Sequence, residues 1–174
     1  MSERAPSPAL PMDYSFENMG EIHREAVVDI YNYFIENSYA AYPDESFGYE
    51  IFDYFQRISD GYPAVVVKDG KGKVVGFAFL SSFHSVDTFK RTAAISYFIL
   101  PQHTRKGVGR TILDQFEDEC RRIGVEIILA HVSSLNKDSL MFHEANGFEE
   151  CGRLRDVGRK FGRDFDVVWF QKRL

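Results

Sequence analysis

Cysteine is scarce: Cys120 and Cys151 are the only two in 174 residues. Their number and spacing suit neither a disulfide framework nor a metal site, so reduced structural thiols, a cytoplasmic setting and no metal are expected. Long apolar runs are missing as well. Residues 64–67 and 76–80 are among the longest, far short of the roughly 20 residues that a membrane-spanning helix needs. Residues 1–11 carry three prolines but neither the apolar stretch nor the small-residue cleavage site of a secretion signal, and residues 1–13 are read as a flexible extension. A positive charge balance is also absent. The net charge of -5 argues against bulk binding of nucleic acid. The basic residues that do occur cluster at Arg105, Lys106 and Arg110 and over residues 153–163, which suits a small anionic ligand better than a long polyanion.

What is present is apolar and aromatic. A hydrophobic share of 44%, with 16 Phe and 9 Tyr, predicts a globular chain with an aromatic-rich core, and the length fits one domain over residues 14–174. Residues 22–37 put Ile22, Ala26, Val27, Ile30, Tyr31 and Phe34 on one helical face, and Phe47, Ile51, Phe55 and Ile58 repeat that spacing. Two early helices are therefore predicted. Valine- and phenylalanine-rich strands at 64–68 and 74–79 flank Asp69, Gly70, Lys71 and Gly72, a turn signal for an antiparallel hairpin. A third strand, 94–100, stops at Pro101. Val108, Ile112, Leu113, Phe116, Cys120 and Ile123 then mark a helix ending at Gly124. A buried strand at 126–132, a short helix at 138–146 and strands at 149–155 and 165–171 complete a mixed α+β order with one local crossover.

The turn between the third strand and the long helix is a candidate anion site. The first turn of a helix has backbone N–H groups without intrahelical partners, and the aligned peptide dipoles add positive charge there. Gly107 and Gly109 carry no side chain to hold phosphate oxygens away, and Arg105, Lys106 and Arg110 add cationic groups. A phosphate loop of the Gly-Lys-Ser/Thr type is missing, and a dinucleotide fingerprint would need glycine where Ile112 stands. A plain glycine-bearing helix start with solvated basic residues fits the same spacing.

With the downstream residues added, the chain resembles the GNAT (Gcn5-related) N-acetyltransferases, within them the phosphinothricin and methionine sulfoximine acetyltransferase group. Residues 104–109 match the coenzyme A turn in all but the opening Thr104. Asn136, Ser139, Phe142, His143, Glu144, Gly147 and Phe148 follow a second motif. Gly152, Leu154, Arg155, Gly158, Lys160, Gly162, Asp166, Val167 and Gln171 follow a third, and Asp29, Ile30, Asn32, Tyr33, Ile35, Glu36 and Ser38 resemble the group's first helix.

The resemblance implies the GNAT acyl-CoA N-acyltransferase fold, a twisted, mixed, mostly antiparallel sheet flanked by about four helices, with strands splayed around acetyl-pantetheine. It implies acetyl-CoA as cosubstrate, a small-molecule amine as acceptor, amino-acid-like or phosphinothricin-like, and a homodimer. Backbone groups at Phe98 and Ile99 would pair with the pantetheine arm. Amides from Arg105 through Lys106, Gly107, Val108 and Gly109 to Arg110 would hold the pyrophosphate, with Asn136 and Ser139 contacting the coenzyme.

Direct transfer to an amine calls for a base and an acid. His143 matches the group's histidine and is the candidate acid. The group's glutamate base is replaced by Ala94, so either an ordered water chain takes the proton or another group does, with His131 on the adjacent strand, ahead of His84 and Asp87, as the candidate base. Tyr39, Tyr42 and Phe83 are the candidate substrate contacts. Two other readings stay open: a coenzyme A-binding sensor or interaction module that has lost catalysis, and an N-acetyltransferase acting on proteins or peptides.

Overall fold

The computed structural model describes residues 13–174; the proline-bearing extension, up to residue 12, lies outside the described residues. Seven strands form one sheet in the order β1-β2-β3-β4-β5-β7-β6. They are β1 (Tyr14–Asn18), β2 (Ala64–Asp69), β3 (Val74–Ser82), β4 (Thr92–Ile99), β5 (Ile127–Ser133), β6 (Glu149–Lys160) and β7 (Arg163–Arg173). Four helices flank the sheet: α1 (Arg24–Asn37), α2 (Ile51–Ile58), α3 (Val108–Ile123) and α4 (Lys137–Ala145). The expected mixed, mostly antiparallel architecture is thus observed, with β4–β5 as its one parallel pair.

Two apolar cores cover the two faces of the sheet. On one face, Val108, Ile112, Leu113, Phe116 and Cys120 of α3 pack on Ala93, Ile95, Ile128 and Ala130. Each large apolar side chain buried in this way contributes roughly 1.5–3 kcal/mol. On the other face, Val27, Val28 and Ile30 of α1 and Phe52 and Phe55 of α2 pack on Val66, Phe77 and Phe79. Alternation along β4 sends Ile95, Tyr97 and Ile99 toward α3 and Phe98 toward α1.

The feature that makes a site is the short parallel pairing. Register between β4 and β5 runs only from Thr92↔Ile127 through Ala94↔Leu129. Beyond that point β4 stays with β3 as far as Ile99↔Gly76, while β5 stays with β7 as far as Ser133↔Val167. The two strands splay, and their facing backbone edges lose each other as partners.

Four sequence expectations need correction. Strand β1 was not predicted; five residues are too few for a clear period, and pairing with β2 decides it. Ile22 is 87% exposed rather than on the core face, because Glu21–His23 forms a tight 3-10 turn before α1 and His23 takes the inward place. Phe47 lies outside α2 and stacks on Tyr31 with centroids 6.2 Å apart, while the Asn32 carboxamide bonds both its N–H and its C=O at 2.9 Å. Strands β6 and β7 run further than expected, joined at Phe161 (φ 50) and Gly162 (φ 72). Positive φ at both positions matches the right-handed twist of a long hairpin.

Candidate active site

A cleft of about 680 Å³ opens where β4 and β5 part, between the starts of α3 and α4 and the end of α1. Gly107 occupies the N-cap of α3 at φ 83, ψ -9, a left-handed conformation that a side chain would strain. Thr111 is the first residue whose N–H is bonded back within the helix, to the Gly107 carbonyl at 2.9 Å. The amides before it are the ordinary unpaired set of a helix start. A Cβ on Gly109 would lie 3.1 Å from the Phe142 ring and 3.6 Å from Ile99, so glycine lets α4 and β4 close on this turn.

Eight of the ten expected coenzyme residues line the cleft: Phe98, Ile99, Arg105, Gly107, Gly109, Arg110, Asn136 and Ser139. Val108 turns its side chain into the core, so only its amide is available to the cleft, and Lys106 is exposed and does not line it. Arg105 is bonded to Asp138 at 2.8 Å. Arg110 is bonded to Asp114 at 3.0 Å and to Asn146 at 3.0 Å. The cationic charge at the turn is therefore partly countered by Asp138 and Asp114. Lys172 continues the brace by bonding the Asn146 carbonyl at 2.7 Å and the buried carboxylate of Glu117, which fixes the start of α3 against the end of α4. Asn136 caps α4 through its side-chain oxygen, which accepts from the Ser139 N–H at 3.3 Å; its NH₂ group is not used in the cap.

His143 does not line the cleft. It is 2% exposed and lies flat against Phe170, with centroids 5.3 Å apart. Its Nδ1–H donates to the Ser139 carbonyl at 2.7 Å, and since a carbonyl only accepts, Nε2 must be the bare nitrogen. That nitrogen accepts from the Tyr97 hydroxyl. Burial pushes the imidazole down to about 4, partly opposed by the Ser139 bond, so it is neutral at pH 7. Tyr97, which does line the cleft, stands between His143 and the open space, and burial holds its phenol well above the ordinary range.

The face toward α1 carries the other candidates. Ala94 pairs with Leu129, and His131 lies two residues further along the same face of β5. His131 Nδ1 is 3.2 Å from the Tyr42 hydroxyl, and its ring lies 5.1 Å from Trp169. One edge stays exposed, yet the packing lowers the imidazole pKa by desolvation. Tyr42 stacks on Phe165 at 5.7 Å, and burial pushes its phenol up to about 12. Tyr39 sits edge-on to Phe161 and Phe165. Neither tyrosine lines the main cleft, although Ser38 and Ala40 beside them do. Phe83 lies past the end of β3, exposed and edge-on to Phe89. His84, also against Phe89, and Asp87 share that connection rather than the strands beside Ala94.

Two residues of this site went unassigned in the sequence. Tyr97 was legible only as a strand aromatic; the alternation that puts it on the face opposite Ala94 is the signal that would have found it. Lys160 was quoted within a motif without a role. Nothing local marks it, because the carbonyls it meets belong to Ser38 and Ala41.

Known proteins share this geometry. The model of the acetyltransferase (GNAT) family matches residues 27–148. The L-amino acid N-acyltransferase MnaT of Escherichia coli is 33% identical over 86% of this chain and 87% of its own length. The L-methionine sulfoximine/L-methionine sulfone acetyltransferase of Salmonella typhimurium is 33% identical over 86% and 88%. A phosphinothricin acetyltransferase from Sinorhizobium meliloti, solved in complex with acetyl-CoA, superposes with a TM-score of 0.87 at 27% identity, covering 94% of this chain and 89% of that one.

Proposed function

The chain belongs to the acetyltransferase (GNAT) family, and on that premise we propose how its residues transfer an acetyl group from acetyl-CoA to the primary amine of a small molecule. The observation that carries the reading is the convergence on one cleft of the open α3 N-terminus at Gly107, the freed edge of β4 at Ile99, beside Phe98 whose backbone faces β3, and Asn136. These groups fit the coenzyme: amides for a pyrophosphate, and a strand edge and a carboxamide for the amide groups of a pantetheine arm. Acetyl-CoA supplies the acyl group as a thioester. In the transfer an N–C bond forms, the C–S bond breaks, the amine gives up a proton and the leaving sulfur receives one.

His131 is the proposed base. It is already neutral at pH 7, and it lies on the same sheet face as Ala94, where a carboxylate is lacking. Tyr97 is the proposed donor toward the sulfur, and His143 acts through it by fixing the phenol. Lys106 and Val108 contribute amides only. Tyr39 and Tyr42 shape the acceptor side, and Phe83 borders it. The names of the relatives favour an amino acid or a phosphinothricin-like compound as acceptor. A homodimer and a cytoplasmic setting belong to the same proposal: Leu154 and Val157 expose apolar surface on the edge strand β6, and both thiols are free.

Thiol release from acetyl-CoA, followed over a panel of L-amino acids, L-methionine sulfoximine and phosphinothricin, tests the reading. Turnover of at least one amine is expected, with His131→Ala lowering kcat about hundredfold at unchanged acetyl-CoA affinity. Tight coenzyme binding with no turnover on any amine would favour the coenzyme A-binding module, the reading that Ala94 supports.

A further inference from the structure

Lys160 ends β6 on the far side of the sheet from α3, yet its ammonium is buried, with the residue only 2% exposed. Among the described residues no carboxylate bonds it, although the Asp44 charge partly offsets the desolvation that lowers its pKa. Its Nζ donates to the Ala41 carbonyl at 2.7 Å and the Ser38 carbonyl at 3.0 Å, two backbone groups in the loop that follows α1. Burying an ammonium is costly unless its protons are bonded. The arrangement persists because carbonyls that have left a helix or sheet need donors.

The contacts around that pair all join the same two segments. The Phe161 ring lies 4.9 Å from Nζ, and Tyr39 meets Phe161 edge-on at 5.5 Å. Tyr42 stacks on Phe165, whose ring covers β6 so closely that a Cβ on Gly158 would lie 2.2 Å from it. The tip of the β6–β7 hairpin therefore holds the loop from Ser38 to Tyr42, and that loop presents the Tyr42 hydroxyl to His131.

We propose that Lys160 is a positioning residue for the amine site: it latches the α1 loop to the hairpin tip, so that Tyr42 and His131 are held in place before the amine arrives. The inference rests on the acceptor side assigned above. Lys160 bonds none of the coenzyme residues named above; of the residues lining the cleft it bonds only Ser38, through the carbonyl at the end of α1. Its loss should loosen the acceptor wall and leave the coenzyme wall intact.

Lys160→Met keeps the aliphatic stem and removes the donors. With L-methionine sulfoximine as the probe amine, the amine KM is expected to rise about tenfold, as for loss of a charge-assisted hydrogen bond. The acetyl-CoA Kd should stay within about twofold and kcat should fall less than the KM rises. Trp169 is the only tryptophan and lies against His131, so acrylamide quenching of its fluorescence reports the wall directly and should increase. Unchanged quenching, or equal shifts in amine KM and coenzyme Kd, would overturn the latch. If Lys160→Met does not fold, Phe161→Ala loosens the same tip and is judged by the same readouts. Tyr42→Ala separates the two proposals. If it leaves the amine KM unchanged while Lys160→Met raises quenching, the acceptor-side assignment fails although the loop is still latched; no turnover of any amine by the unmodified chain overturns the enzyme reading and with it a role for Lys160 at an amine site.

Discussion

The cleft wall formed by residues 97–110 and 136–146 offers mainly backbone: amides of the α3 start, the released edge of β4 and one capping carboxamide. The proposed acceptor side, whose His131 and Tyr42 lie outside the residues that line the cleft, is made of side chains from distant parts of the chain. His131 meets Tyr42 across 89 residues, and Lys160 reaches Ser38 across 122. The first wall suits a coenzyme whose phosphates and amide groups do not vary. The second suits an acceptor that does, since aromatic side chains can be exchanged without disturbing a helix start or a sheet register. The proposed proton roles divide in the same way, with Tyr97 on the α3 face of β4 and His131 on the α1 face of β5.

The comparison is broken most strongly at Gly107. Gly107→Val puts a β-branched residue at φ 83 and displaces the amides, so acetyl-CoA affinity should fall about hundredfold by calorimetry while the chain stays folded. An unchanged Kd would remove this turn from the coenzyme wall. Tyr97→Phe should lower kcat about tenfold with the acetyl-CoA Kd unchanged; the effect is modest because a thiolate leaves readily without a full proton transfer. Activity equal to the unmodified chain in a steady-state assay would take Tyr97 out of the chemistry.

The smallest effect concerns stability. His143 titrates near 6.5 when unfolded and at about 4 when folded, so the unfolded chain binds the extra proton as pH drops through that window. Its contribution is fully present above 6.5 and is lost toward 4. Moving from pH 7 to 5.5 should cost the unmodified chain about 1 kcal/mol more than His143→Leu in urea unfolding. Equal losses would mean that the imidazole is not held neutral by burial.

Legibility in the sequence followed this same division. The α3 stripe, the glycines at 107 and 109 and the Asn136–Ser139 pair are local patterns; their spacing carried the helix positions, while the reading of the turn as a coenzyme site came from the family resemblance. His143 was found by its motif, but a sequence position does not tell which way a buried ring points, and Tyr97, 46 residues away, takes the place beside the cleft. Phe83 was grouped with the substrate contacts for its aromaticity; the sequence did not tell that it lies on an exposed connection against Phe89.

By itself the sequence determined the α3 stripe, the hairpin turn at residues 69–72 and the order of the elements after β1, because these depend on backbone conformations and periods fixed within a few residues. The tertiary structure alone decided that β4 and β5 part after Ala94, that Tyr97 screens His143, and that Lys160 ties the α1 loop to the hairpin. Those outcomes depend on burial and on the need of desolvated carbonyls and ring nitrogens for partners, which only the packed chain can supply.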